Sequence, residues 1–353
     1  MLIARAPVRV SFAGGGTDLP IYYEQYGGLV VSTTIDKYFY VVVNINSSDS
    51  VQVSSSDYRV FYRHRPGEQP LWDGDLRLVK AALHEFDMEG GISLFLASEI
   101  PPGTGLGSSS AVTAALIKAL GTLQGLRLNP EEVAERACAL EREKLRAAVG
   151  KQDQYAVAFG GLNAISFTSA GIRVERVAMS VETYEQLQRN MLLFFTGSTH
   201  VANAIMKRQE EATASNRDGA VAALHAIKDA ARETRECFER GDLRRYGEIL
   251  GETWEQKKRL AAGISNPRVD EVYELALRHG AIGGKLAGAG GGGFLMLYCE
   301  EPQQAAVVEA LEGAGLYHMD FRFERGGAQV IMNSTPRISW QRATHPQREY
   351  QYA

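Results

Sequence analysis

The pattern of apolar and polar positions along the 353-residue chain opens with β-type segments. Val8 to Phe12 and Val30 to Asn46 are β-branched or aromatic and partly alternating, as in Tyr38-Phe-Tyr-Val-Val-Val-Asn-Ile-Asn, which predicts half-buried strands. Ile92 to Ile100 is a further strand candidate. It ends in Pro101-Pro-Gly, which breaks regular structure before an Ala- and Leu-rich helical run from Ala111 to Leu123. A second helix is predicted after Asn129-Pro130, where Asn can cap and Pro is tolerated in the first turn. It carries Glu131, Glu132, Ala134, Ala137, Leu140 and Glu141, and Gly150 is expected to end the helical region. Strand-like segments return beyond Phe159-Gly-Gly-Leu, followed by polar helical patterning from about Ala202 to Leu260. A dense glycine loop after Gly280 then runs into the strand-like Phe294-Leu-Met-Leu-Tyr, ahead of a helix around Gln303 to Glu312 and a last strand. With no repeat or low-complexity linker to divide the chain, two intimately packed domains are expected, residues 1–180 and 181–353.

Composition narrows the function classes. A chain with 45% hydrophobic and 23% charged residues is ordinary for a globular protein with one large or two moderate cores. A net charge of -4 and a pI near 6.0 give no global attraction to nucleic acid or to an anionic membrane. Cys138, Cys237 and Cys299 are far apart and lack C-x-x-C spacing, so neither a disulfide framework nor a cysteine-rich zinc site is expected, in keeping with a reducing cytoplasm. Arginines interrupt the apolar start, and no apolar run approaches the roughly 20 residues that span a bilayer, so a soluble, unprocessed cytoplasmic protein is expected.

Three glycine-rich segments carry candidate chemistry. In Pro101-Pro102-Gly103-Thr-Gly105-Leu106-Gly107-Ser108-Ser109-Ser110-Ala111, glycines at alternate positions precede serines at a helix start. Glycines let backbone N–H groups approach an anion closely, and the helix N-terminus adds about half a unit of positive charge, so a phosphate site follows. The serine hydroxyls could cap the helix or bind a metal or a phosphate oxygen, and chemistry alone does not separate their roles. The segment is not a Walker A motif, because no Gly-Lys-Ser/Thr follows it. Gly288 to Gly293 formally fits G-x-G-x-x-G, but these glycines lead into a strand, whereas a dinucleotide fingerprint needs a strand before and a helix after. The first cluster, Phe12-Ala-Gly-Gly15-Gly16-Thr17-Asp18, ends in a carboxylate of the kind that accepts hydrogen bonds from sugar hydroxyls; a turn capped by Asp is the bland alternative. Glu141 and Asp153 bracket Gly150-Lys151-Gln152, placing two carboxylates and a lysine near the end of one helix. Carboxylates are usual Mg²⁺ ligands and can orient a hydroxyl nucleophile or take its proton.

Taken together, Pro7-x-Arg9 with Gly14-Gly-Gly-Thr-Asp18, the serine-ended loop, and Lys285-Leu-x-Gly-Ala-Gly-Gly-Gly-Gly-Phe294 resemble the three motifs of the GHMP kinases (galactose, homoserine, mevalonate and phosphomevalonate), and their order covers almost the whole chain. Within that superfamily, Ala13 to Pro20, Gly150-Lys-Gln-Asp-Gln-Tyr155, Phe159-Gly-Gly161 and Thr196-Gly-Ser-Thr resemble the D-glycero-D-manno-heptose 7-phosphate kinases, which supply activated heptose to surface polysaccharides; fucokinase-type enzymes share much of this pattern. The resemblance implies an α+β, two-domain fold, with an N-terminal ribosomal-protein-S5-like domain, a C-terminal ferredoxin-like domain and ATP between them. It implies that Pro102, Gly103, Gly105, Leu106, Gly107, Ser108, Ser109 and Ser110 bind the nucleotide, and that Ser108 and Glu141 hold Mg²⁺, with Glu143 as an alternative to Glu141. Asp153 would be the catalytic base, aided by Arg9 and Lys151, while Gly15, Gly16, Thr17, Asp18, Gly288, Gly290 and Gly291 would shape the substrate site. The expected partners are a small-molecule sugar phosphate and ATP, with a homodimer left open and neither nucleic acid nor membrane. Transfer to the anomeric hydroxyl is the implied reaction. His200 departs from the arginine expected there in heptose kinases, and Arg173, Lys207 and Arg208 are candidates for gripping a substrate phosphate. A non-catalytic sugar and ATP sensor is the alternative of a different class; it has no need of a base and a metal ligand.

Overall fold

The computed structural model describes residues 1–335 apart from 47, 57–58, 66, 69–73, 75, 199–201 and 217–218. The strand β1 (Leu2–Ala13) pairs antiparallel with the long β2 (Gly28–Ile45), and α1 (Pro20–Tyr26) fills their connection. The hairpin of β3 (Val51–Ser55) and β4 (Val60–His64) is followed by α2 (Arg77–Glu85) and β5 (Ile92–Ser98), which lies parallel to β3 and antiparallel to β2. The glycine-serine loop then opens α3 (Ser108–Leu123), so the three serines form the helix's first turn.

The next helix, α4 (Pro130–Cys138), starts at Asn129, whose side chain accepts from the Glu132 N–H while the Glu132 carboxylate accepts from the Asn129 N–H. This reciprocal cap fixes the start where the sequence placed it. The end differs from expectation. From Ala139 to Lys144 the backbone widens into a π-helical turn, with Leu145 N–H donating to the Leu140 carbonyl, and the chain leaves helical geometry before Gly150. A new helix, α5 (Gln152–Phe159), carries Asp153. Glu141 and Asp153 therefore stand on two helical segments rather than near the end of one.

After α5 come the hairpin β6 (Asn163–Thr168) and β7 (Gly171–Arg176), joined to the sheet through β2, then α6 (Val181–Asn190) and β8 (Met191–Phe195). The helical stretch resolves into α7 (Ala202–Ala214), α8 (Ala220–Arg240), α9 (Leu243–Lys258) and α10 (Pro267–Arg278). Next, β9 (Gly283–Leu286) and β10 (Phe294–Tyr298) flank the third glycine loop as an antiparallel pair, and α11 (Glu301–Gly313) leads to β11 (Tyr317–His318). These strands make a four-stranded antiparallel sheet in the order β11-β8-β10-β9. The short β12 (Phe323–Glu324) and β13 (Gln329–Asn333) return to the first sheet, β12 on β2 and β13 on β1, to give it nine strands among the described residues.

β1 packs against α3, α5, α8 and α9. Leu2, Ala4, Ala6, Val8, Val10 and Phe12 are accordingly buried on one face, while Arg9 and Ser11, two residues apart, share the opposite one. Phe12 packs edge-on against Phe238 and Tyr246 at ring-centroid distances of 5.4 and 5.7 Å, joining the two sheets in one apolar core. Among the described residues no helix is long and apolar enough to cross a membrane.

Candidate active site

One cleft of about 1310 Å³, counted to its open mouth, gathers residues from all three glycine segments. Arg9 and Asp153 meet in it as a bidentate pair, with the Arg9 Nε and Nη2 donating to the two carboxylate oxygens at 2.8 and 2.7 Å. Arg9 Nη1 also donates to the Gly105 carbonyl at 2.6 Å, and the Arg9 N–H to the Leu106 carbonyl at 2.9 Å, which ties β1 to the loop. A fork-to-fork pair fixes both the position and the plane of the carboxylate. Asp153 keeps 26% of its side-chain surface open, so it is oriented yet reachable.

The loop itself is held by close backbone packing with the third glycine segment. Gly105 has φ near +83°, and a Cβ there would fall 2.4 Å from the Ala287 carbonyl oxygen; one on Gly288 would meet the Gly105 Cα at 2.5 Å. Only glycine at both positions lets the two loops touch. The first turn of α3 then points its free N–H groups and Ser108, Ser109 and Ser110 into the cleft.

Glu141 sits opposite this turn and is almost fully buried. Ser109 and Ser110 hydroxyls donate to its Oε2 at 3.3 and 3.4 Å, while its Oε1 and the Ser108 Oγ are buried without a partner. Burial, and then the charge of Asp153, push the Glu141 carboxyl up to about 7. A buried carboxylate oxygen and a buried hydroxyl left unpaired beside a phosphate-type loop fit a divalent cation that also needs phosphate oxygens. Among the described residues, no cluster of three or more His, Cys, Asp or Glu side chains offers a metal site by itself. The donor set here completes only with a phosphate. Glu143 is not among the residues that line the cleft, so of the two acids it is Glu141 that faces the loop.

At the other end, the buried Asp18 accepts from the Gly16 N–H at 2.9 Å and the Gln152 N–H at 3.1 Å. Burial raises its pKa, with these two donors opposing the shift. Gly15, Gly16 and Gly288 also line the cleft, whereas Thr17 is buried behind it, its hydroxyl donating to the Gly14 carbonyl at 2.8 Å. Gly290 and Gly291 pack on Ile264, the Gly291 N–H donating to the Ile264 carbonyl at 2.8 Å, and so shape the loop from outside. Pro102 and the buried Leu106 likewise support the glycine-serine loop without lining the cleft.

Lys151 corrects the sequence reading. Its ammonium lies 4.0 Å from the Glu135 carboxylate on α4, and it does not line the cleft. As the residue before α5, it starts a helix whose first turn aims Asp153 inward and leaves the lysine on the outer side. His200 lies outside the described residues. Arg173 is exposed on β7 beside Glu175, and Lys207 and Arg208 are exposed on α7, while Met206 and Gln209 of that helix face the cleft.

Two family models match the chain: the GHMP kinases N terminal domain over residues 76–161 and the GHMP kinases C terminal domain over residues 234–316. The D-glycero-alpha-D-manno-heptose 7-phosphate kinase of Campylobacter jejuni is 30% identical over 331 residues, covering 92% of this chain and 97% of its own. The chain belongs to the GHMP kinases. It is an ATP-dependent phosphotransferase with an alcohol group as acceptor. A solved structure titled D-glycero-D-manno-heptose 1-phosphate kinase, from Bacteroides thetaiotaomicron, superposes with a TM-score of 0.78 at 29% identity over 95% of this chain and all of that one. The bifunctional L-fucokinase/L-fucose-1-P guanylyltransferase of Bacteroides fragilis is 29% identical over 87% of this chain, which spans only 35% of that protein.

As a GHMP kinase the chain brings into its cleft several groups to which the sequence reading assigned no role, though Gln152 and Lys285 stand in its motifs. Ser11 Oγ, Gln152 Oε1, Gln209 Nε2 and Thr253 Oγ1 all line it and are buried without hydrogen-bond partners. Lys257 and Lys285 line it too, both buried. Gln209 on α7, and Thr253 and Lys257 one turn apart on α9, lie in stretches that read only as polar helix, where the sequence cannot say which face turns inward. Ser11 offered one signal, as it shares a strand face with Arg9.

Proposed function

We propose that this enzyme phosphorylates the anomeric hydroxyl of D-glycero-D-manno-heptose 7-phosphate, giving the 1,7-bisphosphate and ADP. The observation that carries the sugar reading is the set of unpaired buried hydroxyl and amide groups in one cleft. Ser11, Gln152, Gln209 and Thr253, with Asp18, present both donors and acceptors to a ligand of many hydroxyls. An apolar acceptor would leave each of them unsatisfied. The heptose among sugars is favoured by the Campylobacter jejuni relative, which this chain matches over almost its whole length.

In this reading, the N–H groups of the loop and of the first turn of α3 cradle the ATP phosphates, and Ser108 and Glu141 hold Mg²⁺. When bound, that ion neutralises phosphate charge. Asp18 accepts hydrogen bonds from sugar hydroxyls and sets the depth of the ring. Arg9 holds the Asp153 carboxylate in place to align the acceptor oxygen and take its proton late, after most of the bond to phosphorus has formed. Asp153→Asn is expected to lower kcat by about 10³-fold while the KM for ATP stays within a few-fold, because general-base steps contribute roughly 10²–10⁴. Near-normal turnover in that variant would sink the role.

ADP release should be measured with Mg²⁺-ATP against the heptose 7-phosphate, unphosphorylated heptose, mannose, fucose and galactose, with phosphorus NMR of each product. Strong preference for the 7-phosphate with a new anomeric phosphate signal is expected. Turnover of fucose alone would move the reading to the second candidate, a kinase of a neutral sugar, favoured by the Bacteroides fragilis fucokinase match. Tight binding without turnover would point to a sensor.

A further inference from the structure

The cleft holds more positive charge than its carboxylates explain. Arg9 is spent on Asp153. Lys257, in the last turn of α9, is 7% exposed, and its Nζ donates to the Gly288 carbonyl, the glycine that abuts Gly105 of the phosphate loop. Lys285, on β9, is 3% exposed and takes part in no ion pair among the described residues. Both lysines line the cleft that Arg9, Asp18 and Asp153 also line, and both come from the C-terminal half, Lys257 on α9 and Lys285 on β9.

Two buried ammonium groups near a third cation are costly, a cost that Asp18 and Asp153 offset only in part at Lys257. Burial lowers the Lys257 pKa to about 8 and that of Lys285 well below its ordinary value. Structural pairing does not account for the arrangement, since a carbonyl oxygen alone is a poor counterpart for an ammonium. An incoming anion does. The loop presents its N–H groups to the cleft, and Lys257, tied to the Gly288 that abuts Gly105, lines the same cleft with Lys285, so an anion on the loop has ammonium groups beside it.

We propose that Lys257 and Lys285 form a second phosphoryl-binding subsite that grips the transferring γ-phosphoryl group of ATP from the C-terminal half, beside the loop. The inference rests on the placement of ATP described above. The lysines neutralise charge on the equatorial phosphoryl oxygens, which supplies from the C-terminal half the stabilisation that Lys151, turned away, cannot. Because they approach from that half, they also make the third glycine segment part of the catalytic wall rather than only its frame.

The test compares nucleotides that differ by the group in question. Binding of Mg²⁺-ADP and of the non-hydrolysable Mg²⁺-AMPPNP is measured by calorimetry for wild type, Lys257→Met, Lys285→Met and Lys257→Gln, the last keeping a donor for Gly288 without the charge. Each variant is expected to lose at least about tenfold in AMPPNP affinity, with ADP affinity within about threefold and the ligand-free melting temperature unchanged or raised, since a buried charge has been removed. Equal losses for both nucleotides, or a lowered melting temperature with restored AMPPNP binding in Lys257→Gln, would show a structural tie and overturn the proposal. Unchanged AMPPNP affinity with a loss confined to the phosphorylated sugar would overturn it in favour of a grip on the acceptor's own phosphate. Neither nucleotide arm requires the acceptor sugar to be known. If instead ATP did not sit on the loop, Ser108→Ala would leave both nucleotides unaffected, a result distinct from failure of the lysines.

Discussion

At the scale of single residues, Glu141 shows how a ligand site stores instability. Its carboxyl is raised from 4.5 to about 7 in the fold. Between those values the folded chain binds a proton that the unfolded chain has released, so the ligand-free protein loses stability as the pH rises through this window. The full difference is about 3 kcal/mol at 1.36 kcal/mol per unit, an upper bound for one side chain. Glu141→Gln keeps the shape and cannot ionise, so it should remove most of this slope. Urea midpoints of the ligand-free wild type and variant, taken from pH 5 to 7.5, are expected to converge at the acid end and to favour Glu141→Gln at the alkaline end. Parallel profiles would mean that the carboxyl is not held protonated by its surroundings. The same replacement removes the carboxylate that accepts from Ser109 and Ser110, so kcat should fall even as the fold gains.

At the scale of elements, the segment between α4 and α5 decides the chemistry. The π-helical turn directs Glu141 at the start of α3, and the following loop lets Gly150 pass so close to Asp18 that a Cβ would fall 1.7 Å from its Oδ2. Overpacking of this kind costs roughly 1–3 kcal/mol and shifts the neighbours. Gly150→Ala should therefore displace Asp18 and lower kcat/KM for the sugar by about 10²-fold, the usual cost of an ångström of misplacement, while the KM for ATP changes little. A matching rise in both KM values would show that the loop and the sugar end are not separable. The motifs pointed to Asp18, Glu141 and Asp153, which share one cleft, and Asn129-Pro130 marked a true helix start because its cap is local. The helix end was invisible, since a π turn has no composition signature and is set by tertiary packing, here against α2, where Lys144 pairs with Glu85. Lys151 was misplaced for the same reason: one residue of phase at the start of α5 separates a cleft-facing side chain from one that faces Glu135. Lys257 and Gln209 lay in polar helix whose inward face only the tertiary structure selects.

At the scale of the whole molecule, the two sheets are bound together through aromatic packing and through chain topology. Phe12 of β1 contacts Phe238 of α8 and Tyr246 of α9, and Phe323 of β12 joins the same cluster at 5.9 Å. The chain thus leaves the first sheet after β7, builds the second, and returns to close the first with β12 and β13. Local periodicity predicted a last strand but could not name its partner, because pairing β13 with β1 spans more than three hundred residues. Function needs this closure, for Arg9 and the phosphate loop belong to one half while Gly288, Lys257 and Lys285 belong to the other, and a tenth of a nanometre of play between them would undo the site. Phe238 is fully buried at this junction. Phe238→Ala should cost about 3–5 kcal/mol, as large-to-small changes of buried aromatics do. If the junction makes the chain one cooperative unit, calorimetry will show a single transition at lower temperature, and Mg²⁺-ATP will restore part of the loss because binding draws the halves together. A transition that splits in two would show that each sheet keeps its own stability, and kcat would then fall through loosened alignment of the lysines and the loop rather than through loss of fold.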